Sequence, residues 1–281
     1  MFTRTSIAPL AGRTVVVTGA GSGIGRALAL RLSANGSPVA LLDVDADGLA
    51  GTVAELAGPH LAAHIDVTDR KAQADFAARV TDWSPAPIGA VVNNAGVMVA
   101  APFTPDGAAD DDWVLRINLD GVVNGTRAWL PLLLKQGSGA IVNVSSMFGL
   151  AARPYHGAYC TSKFGVRGLT ETLRHELAGT GVRAVAVHPG YIKTGIVAHG
   201  RTRDLGRSHE QFVTEFASFA PTTADRAAEV IHRGIDAGRS RILIGPDAYA
   251  FDIVSRITPS HYGPVLDRVE RLMDWVSRRR K

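Results

Sequence analysis

The chain has 281 residues, 46% hydrophobic and 20% charged, with 30 Lys+Arg against 26 Asp+Glu. That composition supports a sizeable buried core and argues against extensive disorder, and a scattered net charge of +4 is too small for a nucleic-acid binder. The single Cys160 excludes an intrachain disulfide and a multi-thiolate zinc site, and it fits a reducing compartment. The most apolar stretch, Trp129 to Leu134, is six residues long, far short of the about 18 a membrane helix needs. The opening residues lack the apolar centre of a secretory signal, so the expectation is a soluble cytoplasmic enzyme.

In chain order, short β-branched runs alternate with longer Ala/Leu-rich segments. Thr14–Thr18 reads as a strand, followed by a Gly-rich turn and a helix from Gly25 to Ser33. A strand over Pro38–Asp43, a helix over Asp47–Ala57 and a third strand ending near His64–Asp66 come next. Then follow a helix over Asp69–Trp83, a strand over Ile88–Val92 and one long helix from about Asp111 to Lys135. The last third reads as strand Gly139–Val144, helix His156–Leu177, strand Val182–His188, helix Thr223–Ala237 and strand Arg241–Ile244. Apolar strands separated by amphipathic helices imply a parallel sheet of about seven strands covered on both faces. Right-handed crossovers make this a doubly wound α/β fold with its ligand at the carboxyl ends of the strands. No repeat or low-complexity linker divides the chain. A single domain is expected, with a core over 13–244 and a helical extension over 245–281.

The turn after the first strand is Thr18-Gly-Ala-Gly-Ser-Gly-Ile-Gly25. Glycines let the backbone approach a pyrophosphate closely, and the following helix offers free N–H groups and the positive end of its dipole. A merely flexible turn would share this composition, but the strand before and helix after favour dinucleotide binding by Gly19, Ser22, Gly23, Ile24 and Gly25. No Gly-Lys-Ser/Thr follows, which disfavours a P-loop. Asp43 closes the second strand, where a carboxylate accepts from ribose hydroxyls and repels a 2′-phosphate, favouring NAD. NADP stays as an alternative because Arg26 lies just past the turn. Asp43 also has a plain reading as a carboxylate flanking the next helix, with Asp45 as the competing cap.

Six motifs in order make the chain resemble the short-chain dehydrogenase/reductase family over about Arg13 to Ile244. They are the Thr18–Gly25 turn, Asp66-Val67, Asn93-Asn-Ala-Gly96, Asn118, Ser146 with Tyr159-x3-Lys163, and Pro189-Gly190. The resemblance implies a Rossmann-type fold and a nicotinamide cofactor. It makes Tyr159 the general acid/base, Ser146 the group that orients the carbonyl or alcohol, and Lys163 the residue that holds the ribose and tunes Tyr159. Asn118 would anchor a water in a proton relay. Tyr159 and Lys163, four apart on a predicted helix, share a face. An ordinary phenol titrates near ~10, so a neighbouring ammonium is expected to bring Tyr159 down toward neutral pH. Ser145 is the rival for Ser146, but strand alternation turns it the other way. By the same resemblance, Asp66 and Val67 meet the adenine, and Asn93, Ala95 and Gly96 line the cleft while Asn94 braces the sheet. Pro189, Gly190, Ile192 and Thr194 border the nicotinamide.

The nine histidines show no metal-ligand spacing, so no metal is expected. The sequons at Asn35, Asn124 and Asn143 are read as chance matches, Cys160 as packing and Arg278–Lys281 as a solvated tail. Residues flanking the catalytic face are apolar: Met98, Val99, Met147, Phe148, Leu150, Tyr191 and Ile196. A lid expected over 195–221 adds Val197, Phe212, Phe216 and Phe219. Phe148 and Tyr191, with Ser146 and Tyr159, are the expected substrate contacts. Such a pocket suits a hydrophobic secondary alcohol or ketone, with Arg153, His156 and His199 as nearby polar readers. Competing readings are an epimerase or dehydratase that keeps its cofactor, and a dinucleotide-binding protein without turnover. The family implies a homodimer or homotetramer through the helices carrying Asn118 and Tyr159, and the extension after Ile244 puts the tetramer in question.

Overall fold

In the computed structural model, residues 9–268 are described, apart from the side chain of Phe219. The Arg278–Lys281 tail lies outside them. The first half runs β1 (Thr14–Thr18), α1 (Gly23–Ala34), β2 (Val39–Asp43), α2 (Ala46–Val53), β3 (His60–His64), α3 (Arg70–Trp83), β4 (Ile88–Asn93) and the short β5 (Val99–Ala100). Next come α4 (Ala108–Leu115), a π turn (Arg116–Asp120), α5 (Gly121–Gln136), β6 (Gly139–Val144), α6 (Gly157–Glu176) and β7 (Val182–Pro189). The chain continues through β8 (Ile192–Lys193), β9 (Arg201–Thr202), α7 (His209–Phe219), β10 (Thr222–Thr223), α8 (Ala224–Asp236), β11 (Arg241–Ile244) and α9 (Pro246–Ile257).

Seven strands form one parallel sheet in the order β11-β7-β6-β4-β1-β2-β3. Every residue of β1, β4 and β6 is buried, as required of strands covered on both faces. Leu28 and Leu32 of α1 join Ile231 and Ile235 of α8 over one face. Phe76, Trp129, Leu133 and Leu173 pack from α3, α5 and α6 over the other. The winding reverses between β1 and β4, which opens a crevice at their carboxyl ends. A third apolar cluster, including Met98, Phe148, Tyr159 and Phe251, sits above those ends.

Several expected boundaries move, three of them at the site. Helix α1 begins at Gly23, so the last glycines of the turn form its first residues. Strand β3 stops at His64, leaving Asp66 in the following loop. The long helix expected over Asp111–Lys135 starts earlier and is broken by the π turn. That turn carries Asn118, whose side chain pairs with both backbone groups of Val97 and reaches Ser162 on α6. Tertiary contacts hold the bulge, which is why local sequence does not announce it. The 195–221 segment is also more ordered than a plain loop: it holds α7, while β9 pairs with β5, and β8 pairs with β10 just beyond its edges.

Candidate active site

The crevice is a cleft of about 580 Å³ that runs from Gly19 and Asp43 at one end to Ser146, Tyr159 and Phe216 at the other. At its first end the backbone itself is the wall. Gly19 adopts φ +67, and a Cβ there would lie 2.8 Å from the Ala95 Cα. A Cβ on Gly25 would overlap the Gly19 carbonyl oxygen, so strand and helix can approach this closely only as glycines. Ser22, the N-cap of α1, makes no side-chain cap bond, which leaves the helix amino terminus available to an anionic group. Asp43 lines the cleft and accepts from Gly21 N at 2.7 Å and Asp45 N at 2.9 Å. Asp45 is the cap of α2, accepting from Gly48 N, so the capping role falls to Asp45 while Asp43 faces the cleft. Asp66, Val67, Ala95, Gly96, Pro189, Gly190, Ile192 and Thr194 also line the cleft.

Asn93 is a correction. Its side chain is 2% exposed and donates to Asn143 Oδ1 at 2.8 Å, within the sheet. Asn94 lines the cleft instead, donating to Thr18 O at 2.9 Å and Gly19 O at 3.3 Å. Strand β4 extends through Asn93, so alternation turns that side chain into the sheet and leaves its neighbour at the rim.

At the other end, Tyr159 and Lys163 share the cleft-facing side of α6. Ser146 lines the cleft with Tyr159, its Oγ accepting from Phe148 N at 3.1 Å, while the Ser145 hydroxyl donates to Lys163 O at 2.8 Å. Lys163 Nζ donates to Val144 O at 3.1 Å and stands 5.7 Å from the Tyr159 ring centroid. Burial pushes the phenol up to about 12, opposed by the Ser146 hydroxyl, so the expected depression is not met. Burial also brings the Lys163 ammonium down to about 8. Both shifts have one cause, since a water-poor site penalises whichever form is charged.

The wall beside Tyr159 is made of Met98, Trp113, Ile117, Met147, Phe148, Tyr191, Ile196 and Phe216. Phe148 meets Tyr159 and Tyr191 edge-on, each at 6.1 Å between centroids. Of the polar candidates, His199 alone lines the cleft. Arg153 pairs with Asp267 at 2.7 Å, and His156 bonds Pro154 O. Val99 and Leu150 are buried behind the wall.

The family model for short chain dehydrogenases matches residues 13–204. The chain belongs to the short-chain dehydrogenase/reductase family. It is 40% identical to the Mycobacterium tuberculosis protein SadH, named as an oxidoreductase, over 89% of this chain and 92% of that one. Among solved structures, a short-chain dehydrogenase/reductase from Burkholderia phymatum in complex with NAD superposes with TM-score 0.80 at 30% identity, covering 89% and 94% of the two chains. A Beutenbergia cavernae protein with bound NADP superposes at TM-score 0.70 and 30% identity, covering 84% and 95%. The chain is therefore an oxidoreductase of a family whose members bind NAD or NADP.

Sequence reading missed several supports of the site in this family member. Thr18 Oγ1 accepts from both Asn94 N and Ala95 N at 2.9 Å and so fixes the cleft floor. Ser162, fully buried, donates to Tyr159 O and accepts from Asn118. His188 Nδ1 donates to Ser146 O at 3.1 Å, and burial holds its pKa down to about 4, hence neutral with that one N–H. A lone Thr, Ser or His inside a strand or helix carries no spacing signal, so only the fold reveals these partners. Among the described residues no group of His, Cys, Asp or Glu could hold a metal ion.

Proposed function

We propose that the protein moves a hydride between a nicotinamide dinucleotide and a hydrophobic secondary alcohol or ketone, with Tyr159 as general acid/base. The observation that carries this reading is the convergence of Ser146, Tyr159 and a buried Lys163 in the same cleft as the glycine turn. The residues fit a dinucleotide: an uncapped helix amino terminus stands at one end of the cleft and a hydroxyl pair at the other. Gly19 to Gly25 would cradle the pyrophosphate, and Asp43 would hold the ribose and repel a 2′-phosphate. Arg26 is engaged with Glu55 at 2.6 Å, which supports NAD over NADP. Pro189, Gly190, Ile192 and Thr194 would border the nicotinamide.

The bound dinucleotide supplies or accepts the hydride. Ser146 orients the substrate oxygen toward the Tyr159 hydroxyl. Tyr159, held protonated by burial, is ready to give its proton to the oxygen of a ketone under reduction. Lys163 stands where its charge favours the phenolate when the reaction runs toward oxidation. Asn118 holds the π turn beside Lys163, flanking Gly96, and would support proton exit toward solvent. Phe148 and Tyr191 would press on the substrate body. Exposed Leu134 on α5 and Phe164 on α6 support assembly as a homodimer or homotetramer through these helices.

The test follows reduced-nicotinamide absorbance with NAD and NADP in parallel and a panel of hydrophobic alcohols and ketones. Tyr159→Phe is expected to lower turnover by about 10³-fold, within the range for general acid/base groups, while dinucleotide binding persists. Tight binding with no net change in reduced nicotinamide, and a product altered without redox change, would instead establish the epimerase or dehydratase reading.

A further inference from the structure

The helix that follows the last strand drives a carboxylate into the back of the cleft. Asp247, second residue of α9, is 1% exposed. Its Oδ2 accepts a hydrogen bond from Tyr191 N, and Oδ1 is buried with no hydrogen-bond partner among the described residues. A Cβ built on Gly190 would collide with both carboxylate oxygens, so the Asp247 carboxylate occupies the space a Gly190 side chain would fill. Gly190 N donates to Ile244 O at 2.9 Å, which pins the same turn to β11. Gly245, at φ +91, makes the abrupt bend that delivers Asp247 to this place, and a Cβ there would also strike Oδ1. Burying a carboxylate is costly, and it raises the Asp247 pKa against the pull of backbone N–H groups, Tyr191 first. Phe251, one turn further along α9, stacks on Phe148 at 6.0 Å and 28°.

Resting on the dinucleotide reading above, we infer that Asp247 is a positioning residue: by binding Tyr191 N and seating against Gly190 it fixes the Gly190–Ile192 turn that faces the nicotinamide and the substrate. Helix α9 is thereby a working part of the active site. Gly190, Tyr191 and Ile192 line the cleft, whereas the residues facing the adenosine end (Asp43, Asp66, Val67) lie on other strands and loops. Loosening the turn should therefore weaken the nicotinamide end of the ligand alone.

Isothermal titration of the full chain with NAD and with ADP-ribose separates the two ends, and NADP with 2′-phospho-ADP-ribose runs in parallel. Asp247→Ala is expected to weaken the intact dinucleotide by about tenfold or more, the loss that accompanies removal of a charge-assisted hydrogen bond, with ADP-ribose affinity unchanged. Asp247→Asn keeps a carbonyl oxygen for Tyr191 N and should recover part of the loss; it also serves if the alanine variant does not fold. Equal losses for dinucleotide and fragment, or no loss in either variant, would overturn the inference. Failure of the unmodified protein to bind either ligand would instead break the dinucleotide reading on which it stands.

Discussion

The two walls of the cleft are built from different material. The wall formed by the Gly19–Ile24 turn and the Asp43–Asp45 end of β2 is shaped by backbone approach and by hydrogen bonds to main-chain N–H groups. The opposite wall is side chains drawn from separate segments, with Trp113, Phe148, Tyr191, Phe216 and, behind them, Phe251 interlocking as aromatics. A backbone wall tolerates almost no substitution, because no rotamer can relieve a clash with a carbonyl. A side-chain wall can be re-cut without moving the chain. The difference explains how one scaffold keeps a cofactor while its substrate changes.

The largest effect is expected on the backbone wall. Gly25→Ala forces a methyl into the Gly19 carbonyl, and should destabilise the fold by about 3 kcal/mol, at the upper end for overpacking, with dinucleotide binding lost. Thermal melting and titration would check it; a variant that melts and binds as before would break the contrast. Of similar size but opposite sign is Lys163→Met. The ordinary lysine value is 10.5 and the folded one about 8, so at pH 7 both states hold the proton and the folded chain bears the cost of a buried charge. Replacement should raise stability at pH 7 by up to about 3 kcal/mol while abolishing turnover. The gain should shrink as pH rises from about 8 to 10.5, where folding releases the proton, and melting curves across that range would show it.

A third effect lies in the pH dependence of the reaction. With the phenol held up to about 12, the acid form prevails at neutral pH, so alcohol oxidation should speed up from pH 7 to 10 while ketone reduction does not. Measuring kcat/KM in both directions tests this, and a flat oxidation profile would show that bound cofactor overrides burial. Asp43→Ser should shift the NADP-to-NAD affinity ratio toward NADP by about tenfold, or 1.4 kcal/mol. The smallest global effect belongs to the side-chain wall. Phe216→Ala should raise KM for bulky apolar substrates by about tenfold, a value typical of lost aromatic burial, without altering dinucleotide affinity or melting temperature.

How legible the site was follows the same division. Tyr159 and Lys163 are legible through the family resemblance, with the four-residue spacing placing both on one helix face, and Ser146 is separable from Ser145 because a strand alternates. The burial of Asn93 depends on where β4 ends, a boundary set by pairing with β6 at Asn93 and Asn143, whereas Asn94 braces β1 through Thr18 O as expected and also lines the cleft. The π turn around Asn118 and the Asp247 seat on Gly190 left no trace in local pattern, since each is created by partners far along the chain.

By itself the sequence determined the doubly wound parallel sheet and the glycine turn, since each rests on short-range periodicity or on local spacing, while the proposed catalytic residues are reached through the family resemblance. Tertiary structure alone decided the rise of the Tyr159 pKa, the burial of Asn93 with Asn94 at the cleft, and the use of α9 behind Gly190. Burial, strand register and the approach of distant segments are properties of packing, and no local run of residues encodes the surroundings it will meet.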